Sequence, residues 1–499
     1  MKTDVERAFP NMREIGRATR RIIVGVLALG LVRPGTGLAE ETVPSAASAP
    51  ADQVHSWRTG GGKSYLIPAL EIPSFLILLN LSDRLIYGDA IYGSTYKSSR
   101  DHLLHGPWKF DNDPFNVNQL GHPYQGAMMY GFARSAGLSF WESLVYSNAG
   151  SLMWKIAGET DAPSINDQIT TGNAGSLLGE PLFRMANLVL GDGGDDPGFW
   201  RSLGACFISP PTVLNRLVFG ERFEPLYPSH NPATFTQVRL GSSLTVREED
   251  HGFSNTESRK ETSLDFSMDY GLPGKPGYTY RRPFDYFNFQ FTAVDGKTSF
   301  ENLMTRGLLY GTDYELGDDY RGVWGLYGSY DYLSPKVFRV SSTAGSLGTT
   351  GQWWLSRDLA LQGTALAGPG FGAAGTTATV GQRDYHYGAT VQELLALRLI
   401  FGNVAMLDAS GREYYVSEVG STSTKGTERI ARGNVSFTLR VFRHHAIGIQ
   451  YVESRRNAEY ANLPTRAQSE KTFSLNYNFI GDKRFGEVEW RNGMDSDDR

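Results

Sequence analysis

The chain has 499 residues, a formal net charge of −5 and a single cysteine, Cys206. That length allows two or three domains of ordinary size, while the acidic balance excludes a nucleic-acid-binding surface as the default and the lone cysteine excludes an intrachain disulfide or a cysteine-based metal cluster. With 25 Tyr, 27 Phe, 9 Trp and 57 Gly, the composition favours strands and tight turns over a helical bundle.

At the N-terminus, Arg17, Arg20 and Arg21 precede the apolar run Ile22 to Leu31, followed by Pro34 and the small residues Gly37 and Ala39. This is the order of a secretory signal peptide, with cleavage expected after Ala39. A membrane anchor is the alternative, but the run is too short to span a bilayer core. Residues 1–39 hold seven Lys/Arg and three Asp/Glu, so removing this +4 segment leaves a chain of net charge −9. Residues 40–60, rich in Ala, Ser, Pro and Glu, are expected to form a flexible linker.

A helical domain is expected over 61–215. Its first apolar stretch, 65–81, is interrupted by Pro68, Glu71 and Pro73 and is read as a broken helix, packed on protein or at a membrane surface, or else spanning the membrane. Three further helices follow between 108 and 190. The first starts near His122-Pro123 and stops at Gly137, because Pro suits a first helical turn and Gly a C-terminal one. The second starts at the Ser139/Glu142 capping box and ends at Gly158. The third starts at Ser164 and Asp167, after which Gly172, Gly175 and Gly179 offer a small-residue face for close helix approach.

The stretches WKFDNDPFNVNQLGHPYQGAMMYGFARSAG and GSLMWKIAGETDAPSINDQITTGNAGSLLGE, with Asn118, Gln119, Gly126, Arg134, Ser164, Gly175 and Gly179 among their marked positions, resemble the bacterial domain of unknown function numbered 3943 over about residues 105–190. That resemblance implies attachment to an outer-membrane-like β region and carries no established activity. The same region also resembles the VanZ-like membrane-associated helical domains, which implies a shared cluster of His122, Glu159 and Asp167 beside Gly175 and Gly179. Such a cluster could hold a metal or perform acid/base chemistry on a lipid or glycan. The plainer readings are a helix-start histidine for His122, a capping partner of Ser164 for Asp167, and a salt bridge for Glu159 with Arg134 or His122. Asp111 and Asp113 are read as turn caps rather than a calcium loop, and His444-His445 as an exposed strand turn. No nucleotide, hydrolase or zinc motif stands out, so no cofactor is implied.

From 233 to 480 the pattern changes to period two. Val238, Leu240, Leu244 and Val246 alternate with Arg239, Ser243 and Thr245; Phe473, Leu475, Tyr477 and Phe479 alternate with Ser474, Asn476 and Asn478. About twelve such segments, many about ten residues long, match strands that cross a bilayer at a tilt. Asp295-Gly296 and Ser410-Gly411 read as turns between them, and the region 336–380 is too rich in Gly, Ser and Thr to place strand ends. The expectation is a mainly β protein: an antiparallel transmembrane β-barrel of about twelve strands in a Gram-negative outer membrane, with an N-terminal α-helical domain that plugs the lumen or packs at the periplasmic mouth. Residues 481–499 read as a polar tail, within which 485–490 could form one more strand. Outer-membrane lipid is the expected partner, nucleic acid is not, and the oligomeric state is open. Channel, transport or envelope-structural roles come first; a lipid- or envelope-modifying enzyme using His122, Glu159 and Asp167 is the alternative.

Overall fold

A computed structural model describes residues 63–111, 113–191, 197–219, 232–250, 255–295, 300–335, 338–375, 383–418, 426–461 and 464–490. The expected signal peptide, 1–39, and the expected linker, 40–60, lie outside the described residues. The chain divides into two compact units. One runs to Lys109 and resumes at His122 through the last helix; the other holds Phe110–Gly121 together with everything from the first strand on.

The helical unit contains α1 (Leu66–Tyr87), α2 (Asp89–Tyr92), α3 (Tyr96–His105), α4 (His122–Ser135), α5 (Phe140–Ala157), α6 (Ile165–Asp167), α7 (Gly175–Gly191), α8 (Gly198–Ile208) and α9 (Pro210–Phe219). The expected break in the first apolar stretch does not occur. Helix α1 is continuous through Pro73, and it is long and apolar enough to cross a membrane by length and composition. Proline removes one intrahelical hydrogen bond, but Ile72 and Leu76 around it are anchored on Met129, Phe132 and Trp154, and burial of that size outweighs the local loss. Helix α5 has the expected reciprocal cap, with the Glu142 amide donating to Ser139 Oγ and the Ser139 amide to Glu142. Helix α4 begins at His122 as expected, but five π-helical residues, Val117–Gly121, lead into it. A second π-helical run, Gln168–Ala174, joins α6 to α7, so the third predicted helix is three segments rather than one.

The expected small-residue face brings backbones together. A Cβ added at Gly126 would lie 1.8 Å from the Thr171 carbonyl oxygen, and one at Gly175 would lie 2.6 Å from Gly126 Cα. Such distances leave room for hydrogen alone, which is why glycine stands at both positions.

The second unit is a closed barrel of twelve antiparallel strands: β1 (Thr234–Asp250), β2 (Asn255–Tyr270), β3 (Phe287–Val294), β4 (Phe300–Leu316), β5 (Tyr320–Leu333), β6 (Val340–Trp354), β7 (Leu359–Ala374), β8 (His386–Phe401), β9 (Ala405–Val416), β10 (Gly426–Phe442), β11 (His445–Tyr460) and β12 (Arg466–Ile480). Closure comes from β1 pairing with β12, Leu244 opposite Phe473 and Leu240 opposite Tyr477, which leaves no free edge. The alternation has the expected sense. Leu240, Leu244, Leu395, Leu397, Val435, Ile449 and Leu475 are exposed on the outer wall, while Ser243, Thr245, Asn476 and Asn478 are buried inside. Trp353, Phe401, Phe442 and Tyr477 are outward near one rim. An apolar outer band with aromatic residues at its edge and a polar interior is the build of an outer-membrane barrel.

Ser410-Gly411 is not a turn. Both residues lie mid-strand in β9, with Gly411 opposite Leu395 and Gly433. Residues 481–490 are neither an extra strand nor a solvated tail: they turn back into the lumen, where Phe485 and Val488 are buried against Ile400, Met406, Ala446 and Leu308. The Trp354 indole donates to the Glu489 carbonyl at 2.9 Å, Gln362 Nε2 to the Gly486 carbonyl at 2.7 Å, and Arg440 lies over the Phe485 ring at 4.6 Å. The long connection 271–286 joins the same plug through Leu272 and Tyr286.

Candidate functional site

In the helical unit the three predicted residues His122, Glu159 and Asp167 gather around a fourth, Lys155, which the sequence reading did not single out. Lys155 Nζ lies 2.5 Å from Asp167 Oδ2 and 2.7 Å from Glu159 Oε2, and His122 Nε2 lies 3.5 Å from the same Asp167 oxygen. Helix α5 supplies Lys155 in its last turn, and Glu159 follows one helical turn later, the spacing at which side chains meet. Ser164 holds Asp167 in place by accepting its amide at 3.1 Å. The Lys155 and Asp167 side chains are 3% and 1% exposed, so the ammonium faces its carboxylates without water between them. Burial pulls the lysine pKa down, but Asp167 and Glu159 outweigh it and the ammonium is held charged above its ordinary range.

The expected partner for Glu159 is corrected. Glu159 accepts from Lys155 and from the Trp154 indole at 2.6 Å, whereas Arg134 pairs with Glu180, Nε to Oε2 at 2.7 Å. Arg184 Nε reaches the other Glu180 oxygen at 2.8 Å, and the Tyr130 hydroxyl donates to the carboxylate at 2.6 Å. Burial raises the Glu180 carboxyl, yet the two guanidiniums dominate and hold it at about 2. The LGEPLFR stretch carries its own signal for this, since Glu180 and Arg184 are four apart on α7. Among the described residues, no group of three or more His, Cys, Asp or Glu is arranged to hold a metal ion.

Asn118 and Gln119, marked positions of the same family-like stretch, belong to the barrel unit. Asn118 Nδ2 lies 2.9 Å from both the Tyr385 and Tyr387 hydroxyls and also donates to Asp111, while the Tyr330 hydroxyl donates to the Gln119 carbonyl. Phe110 stacks on Phe371 and Tyr387, and Phe115 packs against Tyr332 and Tyr385. Asp111 also takes the Asp113 amide, which makes it a turn cap. These barrel tyrosines share strand parity with exposed Trp324 on β5 and with exposed Val391 and Leu395 on β8, with no register shift between. Segment 110–121 is therefore a strap across the outer wall from β5 to β8.

The lumen is filled rather than open. Arg398 bridges Asp408 at 2.7 Å and Asp269 at 2.9 Å, Arg412 pairs with Asp331, and Arg456 with Glu428 at 2.7 Å. The apolar layer carrying Phe485 lies toward the short turns, and a second layer of Met304, Leu333, Phe338, Val340 and Ile430 toward the other rim. Between them a cavity of about 190 Å³ is lined by Arg239, Asp265, Asn302, Arg306 and Glu470 among others. At about 30 Å³ per water, it has room for a few waters.

Residues 107–211 match the model of the Domain of unknown function (DUF3943). The match takes in the strap and α4 to α8. No curated protein matches the chain. Among solved structures, the chain is similar to the NanC porin, at 8% identity over 48% of this chain and 98% of that one with a TM-score of 0.25. It is also similar to the translocator domain of the autotransporter NalP from Neisseria meningitidis, at 12% identity over 50% and 90% with a TM-score of 0.23. The anion-selective porin from Comamonas acidovorans is similar at 7% identity over 50% and 100%, with a TM-score of 0.20.

Proposed function

We propose that this protein is an outer-membrane channel or transport barrel held shut by its own chain. One observation carries the reading: the polar, charge-lined mid-lumen is closed toward the chain-end rim by an apolar plug made of residues 481–490, which follow the last strand, and the 271–286 connection. A barrel that only braced the envelope would need no polar passage behind a segment that reaches in from outside the strands. The test is conductance across planar bilayers. The full chain gives no steady current, and a chain ending at Ile480 that also carries Leu333→Ala and Phe338→Ala in the second apolar layer gives one; silence from both would favour the envelope-structural role instead.

For His122, Glu159 and Asp167 we propose a holding function around Lys155. The enzymatic alternative would need Asp167 to orient His122, but Lys155 already occupies that carboxylate at 2.5 Å. Alanine at each of the three positions leaves the membrane lipid profile unchanged on this proposal; a changed profile in folded variants would restore the enzyme.

A further inference from the structure

We infer that segment 110–121 of the unknown-function domain lies at the cell-exterior face of the membrane, strapped to the lipid-facing wall of the barrel. The inference rests on the outer-membrane reading and extends it to membrane topology.

Three observations carry it. First, Tyr330, Tyr332, Phe371, Tyr385 and Tyr387, which receive the strap, have the outward parity of the exposed residues on their strands. Second, the receiving residues stand far from the rim that carries the chain ends. Tyr332 is twelve residues from the start of β5 at Tyr320, Phe371 twelve from the start of β7 at Leu359, and Tyr387 fourteen from the end of β8 at Phe401. A tilted strand crosses the hydrocarbon layer in about 9–11 residues, so this platform sits at or beyond the far interface. Third, the connections at the chain-end rim are short, 317–319, 355–358, 402–404 and 443–444, with 271–286 the exception. By the strand ends, the connections on the strap's side are four to eleven residues long, from 251–254 to 375–385. Outer-membrane barrels carry short turns on the periplasmic side and longer loops outside.

The chemistry of the strap suits that depth. Phe110 and Phe115 meet an aromatic platform where an amphipathic ring is favoured, while Asp111 and Asp113 lie at a level where charge is hydrated. Asp113 itself pairs with Arg383 at 3.4 Å, and both side chains are about half exposed. The Tyr385 hydroxyl donates to the Asp113 carbonyl at 2.8 Å, which ties the strap's start to the same rim.

The experiment uses the full chain in intact Gram-negative cells with Cys206→Ser as background and one cysteine added at a time: Asp113→Cys, Arg383→Cys or Ser356→Cys. Ser356 lies exposed in the short connection 355–358. A membrane-impermeant maleimide is applied before and after the outer membrane is permeabilised, and heat-dependent gel migration reports barrel folding for each variant. The expected result is labelling at 113 and 383 in intact cells, with labelling at 356 only after permeabilisation. Labelling at 383 in intact cells but at 113 only afterwards would overturn the strap's position. The reverse pattern, 356 outside with 113 and 383 inside, would overturn the orientation. Recovery of the folded protein outside the membrane fraction would instead remove the outer-membrane reading on which the inference rests.

Discussion

Lys155 and Asp167 form a nearly dry ion pair at 2.5 Å, joining the last turn of α5 to the short helix α6. Deleting Asp167 leaves the buried Lys155 ammonium with Glu159 alone, at a cost of up to about 3–5 kcal/mol. Asp167→Ala therefore greatly speeds hydrogen exchange over residues 150–170 in the full chain. The triple variant Lys155→Met/Glu159→Gln/Asp167→Leu recovers most of the protection, because it removes the ammonium together with both of its carboxylates and leaves no charge unpaired. Equal exchange in the parent and the single variant would show that the pair holds nothing.

The Glu180 carboxylate is tied by two guanidiniums and a hydroxyl, and its loss leaves Arg134 and Arg184 facing each other. Glu180→Ala is expected to cost about 3–5 kcal/mol as well, whereas Glu180→Gln, which keeps the shape and part of the hydrogen bonding, costs less. Because the Glu180 pKa is depressed to about 2, its contribution is present above about 4.5 and fades as pH falls through about 2. Exchange protection around Tyr130 and Arg184 measured from pH 7 to pH 2.5 should therefore decline only at the acid end in the parent, and Glu180→Gln should flatten that decline.

Asp482, just past the end of β12, controls the seat of the plug. Its carboxylate accepts the Thr236 amide at 2.7 Å, but burial dominates and pushes its pKa up to about 7 from a usual value near 3.8. A raised carboxyl contributes fully below 3.8, and that contribution is lost as pH rises through about 7. The 481–490 segment is thus held more firmly at pH 5 than at pH 8. Limited proteolysis of the C-terminus should quicken across that interval, and Asp482→Asn should abolish the difference. Faster cleavage at the acid end would reverse the sign and refute the assignment.

The barrel was legible because period two is imposed by two solvents at once, and it recurs in twelve strands between Thr234 and Ile480. The misreading of Ser410-Gly411 has a physical reason. A turn dipeptide states a local preference, and pairing on both sides, to Leu395 and to Gly433, overrides it. The plug was hidden because FGEVEW has no long period, and only the lumen gives Phe485 and Val488 an apolar partner. In the helical domain the caps and glycines were readable as local chemistry, as at Ser139 and Gly126. Ion-pair partners were not: Arg134 meets Glu180 across 46 residues, a distance that spacing rules do not reach. The strap was invisible for the same reason, since Asn118 finds Tyr385 and Tyr387 across 267 and 269 residues.

The claim that hydrocarbon surrounds this cylinder is tested most directly by nitroxide scanning of β8 from Val391 to Leu399 in reconstituted bilayers, comparing accessibility to oxygen with accessibility to a water-soluble nickel chelate. Oxygen maxima at Val391, Leu395, Leu397 and Leu399, with minima at Gln392, Leu394, Ala396 and Arg398, are the expected result. A flat profile, or maxima at the second set of positions, would contradict it.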